Sequence, residues 1–279
     1  MRRHISVQLW LLCVLVSTPT VIYAAATQEE ETLPGPKVIP FSEGGVTFEP
    51  YQMGDDPLFD KVIAKQQQAD PESAGLDPLW GQFSNSTDMT IVVMTLIGDC
   101  IDSSGARRAY TARSDWTINE EPRYRPGFSQ RVGFGPLRRS PGRERPAFSI
   151  KNLRLPITVG SEVVEHNSEH YEECNPISLE LDTVILEDGT VLGKDQSRTV
   201  ELLRARKKAV DIVSEELLAL LDRQRDPTPM LNDYAETDAD LRDPVAFWSA
   251  RVAKILLAAT NQLAILAELS TIPQIDFHR

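Results

Sequence analysis

The stretch "NPISLELDTVILEDGTVLGKD", residues 175–195, constrains the fold more than any other part of the chain. Ile177, Leu179 and Leu181 alternate with polar residues, and the apolar run continues through Val184 and Leu186. Asp188-Gly189 then separates this run from a second one. Asp-Gly in that setting specifies a tight hairpin, because the turn needs positive φ and glycine supplies it without steric cost.

Strand signals also precede the hairpin. "MTIVVMTLIGDC", residues 89–100, is an apolar, β-branched run that ends in Gly98-Asp99, and it reads as a buried strand followed by a turn. "RRAYTARSDWTI", residues 107–118, sets Tyr110, Ala112, Trp116 and Ile118 among polar neighbours as a half-buried strand would. A third strand is expected at "AFSIKNLRLPITV", residues 147–159, with Phe148, Ile150, Leu153, Leu155 and Ile157 as its apolar positions. The shift in spacing between Ile150 and Leu153 marks a bulge. Short strands joined by turns, with no helices between them, favour an antiparallel sandwich over a βαβ fold.

Beyond Asp195 the period becomes helical. Leu203, Val210, Val213, Leu217 and Leu220 share one stripe, with Asp195 or Ser197 as N-cap, and "RARKK", residues 204–208, is expected on the wet face. A second helix opens at Asp243-Pro244, an acidic cap followed by proline at the first helical position, and runs through Trp248, Val252, Ile255, Leu256, Ala259, Leu263 and Leu266. The segment between the two helices is long enough to let them fold back as an antiparallel hairpin. Arg251, Lys254, Asn261, Gln262 and Glu268 interrupt the second helix, so stable membrane insertion is not expected.

The start of the chain has the three-part layout of a secretory signal peptide over residues 1–26: Arg2 and Arg3, an apolar stretch from Val7 to Val16, and the exit "YAAA". Cleavage near residues 24–26 implies a secreted or periplasmic protein. The polar, Pro- and Gly-containing residues 27–88 read as an extended, partly disordered arm, within which Asn85-Ser86-Thr87 is a glycosylation sequon that matters only in a host that glycosylates. Two cysteines then remain, Cys100 and Cys174, and in an oxidising setting such a pair is expected to form a disulfide. The chain carries 29 basic and 41 acidic residues, a net charge of −12 that becomes −14 when Arg2 and Arg3 leave. That balance excludes nucleic acid and anionic membrane as nonspecific partners.

Two constellations bear on chemistry. "HNSEH", residues 166–170, matches H-x-x-E-H, in which His166 and His170 would hold zinc and Glu169 would activate a metal-bound water. That chemistry needs a helix and a third ligand. Val163, Val164, Asn167 and Ser168 are mediocre helix formers, and the segment lies between strand-like ones. A competing zinc reading joins His166, His170 and Cys174. The second constellation sets Arg123, Arg125, Arg131, Arg138, Arg139, Arg143 and Arg145 among Tyr124, Phe128 and Phe134, a basic patch suited to an anionic or sugar-like ligand. No nucleophile-elbow, phosphate-loop, dinucleotide or paired C-x-x-C motif occurs, so no cofactor is expected.

The order of "ARRAYTARSDWTI", "SIKNLRLPITV" and "SLELDTVILEDGTVLGKD", followed by a charged helix, resembles a group of uncharacterised exported bacterial proteins. These carry a single immunoglobulin-like β-sandwich whose last hairpin has the form D-x-V-x-x-x-DGT-x-x-G-x-D. The resemblance spans roughly residues 89 to 225 and is most specific from Asp182 to Asp195, where Lys194 replaces a frequent proline. It implies fold and export and no particular activity.

The expected fold class is α+β: an immunoglobulin-like antiparallel sandwich over residues 89–195, followed by a C-terminal helical hairpin over 196–279 that serves self-association or packs on the sandwich. The expected function is that of an exported, noncatalytic binding or interaction module, for a protein or an anionic or carbohydrate ligand. The alternative is a zinc-dependent hydrolase using His166, Glu169 and His170.

Overall fold

In the computed structural model of the chain, the described residues are 37–51, 54–58, 60–61, 64–65, 79–102, 104–118, 124–134, 150–160, 162–164 and 174–279, all within the unit Pro34–Arg279. The longest strand, β5 (Ile91–Asp102), pairs antiparallel with β11 (Ser178–Leu186) on one side and with β6 (Arg107–Asp115) on the other. Around this centre an eight-stranded sheet forms. The strand β1 (Lys37–Ile39) lies parallel to the start of β11, and β12 (Val191–Gly193) closes the hairpin at its end. On the other side β8 (Ile157–Val159) and β9 (Glu162–Val164) extend the sheet from β6, while β10 (Cys174–Pro176) pairs with the end of β5. A second, four-stranded antiparallel sheet runs β2 (Phe41–Glu43), β3 (Val46–Pro50), β4 (Leu79–Asn85), β7 (Ser129–Phe134).

The large sheet is covered on both faces because its central strands are apolar on both faces. Met94 and Leu96 of β5, with Leu179, Leu181, Val184 and Leu186 of β11, pack against Val46, Phe48, Leu79 and Phe83 of the small sheet. Val93 and Ile185 point the other way, into a core shared with helices. The apolar parity of β11 changes between Leu181 and Val184, and a register shift with β5 falls at that place, between Leu181 and Thr183. A bulge there lets one strand keep its apolar side chains aligned while turning Asp182 inward.

Four helices stand among the described residues: α1 (Thr199–Asp222), α2 (Thr228–Ala235), α3 (Pro244–Ala258) and α4 (Gln262–Leu269). Leu203, Val210, Val213 and Leu217 of α1 are buried, as the stripe requires, and each contributes about 1.5–3 kcal/mol through its removal from water. Trp248, Val252, Ile255 and Leu256 of α3 pack with them, and Trp248 Nε1 donates to the Leu202 carbonyl at 3.0 Å. Asp243 caps α3 by accepting from Ala246 N at 3.2 Å, with Pro244 at the first position. The expected long second helix is broken: Ala259 is extended, Asn261 caps α4 through Ala264 N, and Leu263 is exposed. A cap-forming asparagine at this point ends one helix and begins another.

Further expectations are corrected. Residues 37–50 and 79–85, read as part of an arm, form β1 to β4 and supply most of the small sheet. Their apolar signal is weak because the buried apolar side chains of β3 and β4 are only Val46, Phe48, Leu79 and Phe83, and the alternate buried positions of β4 also include Gly81 and Asn85. Among the described residues of the third expected strand, Ile150–Leu153 is a 3₁₀ turn and only Ile157–Val159 pairs. Its backbone groups are claimed by side chains instead, since Arg206 takes the Leu153 carbonyl and Asp115 takes the Leu155 amide. "RARKK" does not lie wholly on the wet face, because Arg206 is 2% exposed.

Cys100 and Cys174 are bridged, with Cα atoms 5.4 Å apart, tying β5 to β10 across 74 residues of sequence. Closing a loop of that length restricts the unfolded chain by about 4 kcal/mol in the chain-entropy account. Reduction, or Cys174→Ser, is expected to lower the unfolding free energy by roughly 2–5 kcal/mol in urea titrations, and an unchanged midpoint would remove the bridge from the stability account.

Candidate functional site

Asp115 closes β6 with its carboxylate buried. It accepts from Thr117 N at 3.1 Å and from Leu155 N at 3.3 Å, and it pairs with the guanidinium of Arg206 from α1. Arg206 also donates to the Leu153 carbonyl at 3.0 Å and to Thr117 Oγ1 at 2.7 Å. One ion pair therefore fixes three things together: the turn Trp116–Ile118, the 3₁₀ turn and the first helix.

A second polar junction joins the hairpin to α1. At the bulge, the Asp182 carboxylate accepts from Gln196 N at 2.8 Å, Ser197 N at 3.0 Å and Thr183 Oγ1 at 2.9 Å. Gly193, at φ +90°, passes so close that an added Cβ would lie 2.1 Å from the Asp182 carbonyl oxygen. Asp195 then accepts from Thr199 N at 2.7 Å and from Val200 N, capping α1 from outside its first turn. Asp195 and Arg198 both sit at positive φ, a strain that these bonds hold in place. Burial raises the Asp195 carboxyl above its ordinary value against the opposing bonds from Val200, Thr183 and Thr199. Arg113 reaches into the same junction, donating to the Pro156 and Ser197 carbonyls at 2.8 and 3.0 Å. Burial lowers its pKa to about 10 despite the fields of Asp182 and Asp195, so it remains a cation at neutral pH. The D-x-V-x-x-x-DGT-x-x-G-x-D pattern is thus a structural joint: Asp182, Gly193 and Asp195 link the strand, the hairpin and the helix, and Asp188 holds the turn by accepting from Thr190 N at 2.8 Å.

The hairpin turn has a further task. After α4 the chain runs back along the hairpin, where His278 N donates to the Gly189 carbonyl at 3.1 Å and Val191 N to the His278 carbonyl at 2.8 Å. At φ +94°, a Cβ on Gly189 would lie 2.1 Å from the Asp276 carbonyl oxygen. Arg204 of α1 lies over the Phe277 ring, 5.4 Å from its centre. The C-terminal segment is thereby held as a strap across the edge of the sheet.

Between the strap and the Asp115 turn opens a cleft of about 380 Å³. Trp116, Thr117, Ile118 and Ile150 form one wall, positioned by the Asp115–Arg206 pair; Thr271, Ile272, Pro273 and Ile275 form the other, and Val92 and Glu187 come from the end of the central strand pair. Ile118, Ile150 and Ile272 are buried in it, giving an apolar interior. Glu187 sits exposed at its edge, one carboxylate oxygen accepting from Thr90 N at 3.1 Å. Such a concave recess, lined mostly by apolar side chains yet with polar and apolar surface exposed in about equal measure, could admit a small molecule.

None of the described residues expected to carry chemistry lines this cleft. His166, Glu169 and His170 lie outside the described residues, as do Arg123, Arg138, Arg139, Arg143 and Arg145. Arg125 is exposed, and Arg131 pairs with Asp56 at 2.7 Å and lies over the Tyr51 ring. Tyr124, assigned to the basic patch, packs in the core against Phe83, Trp116 and Phe128. The bridge to Cys100 removes Cys174 as a zinc ligand. Among the described residues no three His, Cys, Asp or Glu side chains gather as metal ligands, and no described helix is long and apolar enough to cross a membrane. The Asn85 side chain is buried, its amide donating to the Met89 and Tyr124 carbonyls and its carbonyl accepting from Thr87, so a glycan has no access to it in the folded protein. The strap went unnoticed in the sequence, although Ile275 and Phe277 alternate as in a strand.

Compared with protein-family models, curated proteins and solved structures, the chain finds no match.

Gly189→Ala tests the strap. A side chain at this left-handed position is expected to cost about 1–3 kcal/mol. It should also speed hydrogen exchange at the Val191 and His278 amides, and unchanged protection of both would show that the strap does not depend on the glycine.

Proposed function

We propose that the protein is an exported, noncatalytic binding module that captures a small, largely apolar ligand in the cleft between the Asp115 turn and the C-terminal strap. The observation that carries this reading is the cleft itself, an open recess with buried apolar residues at its base, whose two walls are each held by dedicated polar contacts. Walls anchored in this way are preorganised, which lowers the entropic cost of binding.

Export is supported by the three-part N-terminal layout and by the buried Cys100–Cys174 bridge, since such bridges persist in oxidising compartments. The two packed sheets fit an immunoglobulin-like sandwich, here with helices added over one face, and the mutual packing of α1 and α3 fits a helical hairpin.

The neutral fluorophore N-phenyl-1-naphthylamine should bind at one saturable site, with enhanced emission. Thr271→Phe, a substitution at an exposed wall position that fills the cleft, should weaken that binding at least about tenfold, as loss of a packed apolar contact of this size implies. Absence of saturable binding, or binding unaffected by the substitution, would refute the assignment of the cleft.

A further inference from the structure

We infer that the ligand of this cleft is a small organic ammonium compound, an apolar body carrying one positive charge; the inference rests on the binding role proposed above and gives it a chemical class. Among the described residues lining the cleft, Glu187 alone is charged. The others are apolar apart from Thr117 and Thr271, whose hydroxyls are uncharged. An anion would therefore meet a carboxylate with no cation among the described lining residues to offset it, whereas a cation would gain an attraction there.

The geometry at Glu187 suits this role. The residue follows the last residue of β11 at the hairpin turn, and its own amide donates to the Thr90 carbonyl at 2.9 Å while Thr90 N donates back to its side chain. This two-way link to the start of β5 pins the carboxylate at the mouth of the cleft, with its second oxygen directed to no hydrogen-bond partner among the described residues. A ligand entering apolar end first would bring a cationic head to that oxygen. The net charge of −12 adds a long-range attraction for cations and a repulsion for anions.

Three probes of similar size and different charge test the inference: phenethylammonium, 2-phenylethanol and phenylacetate, each titrated by competition against N-phenyl-1-naphthylamine. Phenethylammonium should bind about fivefold more tightly than 2-phenylethanol, the gain expected of one partly exposed charge pair, and phenylacetate more weakly than either. E187Q keeps a carbonyl oxygen for the Thr90 amide and deletes the charge, so it should abolish the preference for the ammonium probe over 2-phenylethanol. Raising the salt concentration to about 0.5 M should likewise shrink the preference. Equal binding of the ammonium and alcohol probes, or a preference that survives in E187Q, overturns the ammonium assignment and leaves the apolar cleft standing. Failure of all three probes and of the fluorophore overturns both.

Discussion

The buried pair between Asp115 and Arg206 is the interaction on which the rest of the arrangement depends. A carboxylate and a guanidinium taken out of water lose solvation that their mutual attraction alone does not restore, so each needs further bonds. Asp115 accepts from the Thr117 and Leu155 amides, and the two terminal nitrogens of Arg206 donate to the Leu153 carbonyl and the Thr117 hydroxyl, while its Nε has no hydrogen-bond partner among the described residues. Satisfying the pair forces the chain after β6 to turn back at Trp116–Ile118, forces Ile150–Leu153 into a tight turn, and sets the rotation of α1 about its axis. One wall of the cleft follows directly from that geometry.

The second constraint is a sheet whose central strands are apolar on both sides. It cannot be left with a wet face, so the small sheet covers one side and the helices the other. The joint at Asp182 makes this layering compatible with a single continuous chain. There the strand bulges, the hairpin closes, and six residues after Gly193 the chain enters a helix whose first amides are capped by Asp195. The same hairpin supplies the edge along which the C-terminal strap is laid, so the two cleft walls are linked through the core rather than independent of each other.

Much of the fold was legible in the sequence where periodicity is strong. The strands at 89–100 and 107–118, the Asp-Gly hairpin, the apolar stripe of α1, the Asp243-Pro244 start of α3 and the cysteine pairing each follow from a local rule. The short strands of the small sheet were not legible, because β2 fully buries no side chain and β3 and β4 bury two apolar side chains each, between polar segments. Two signals were present and misread. Arg206 falls four residues after Leu202, three after Leu203 and four before Val210, which places it on the buried stripe despite its basic neighbours. The change of apolar parity from Leu181 to Val184 marks the bulge, whereas the spacing shift at Ile150–Leu153 belongs to a 3₁₀ turn. The cleft could not be read locally, since its walls come from segments more than 100 residues apart and meet only through tertiary contacts.

The most direct test of the central role of the Asp115–Arg206 pair is a double-mutant cycle with Asp115→Asn, Arg206→Met and the two combined, read by urea unfolding. If the pair organises the junction, each single change leaves a buried group without its partner and costs about 3–5 kcal/mol. The double variant should then cost less than the sum of the two by at least about 2 kcal/mol. Additive losses would contradict the account, because they would show that the two side chains stabilise the fold independently of one another.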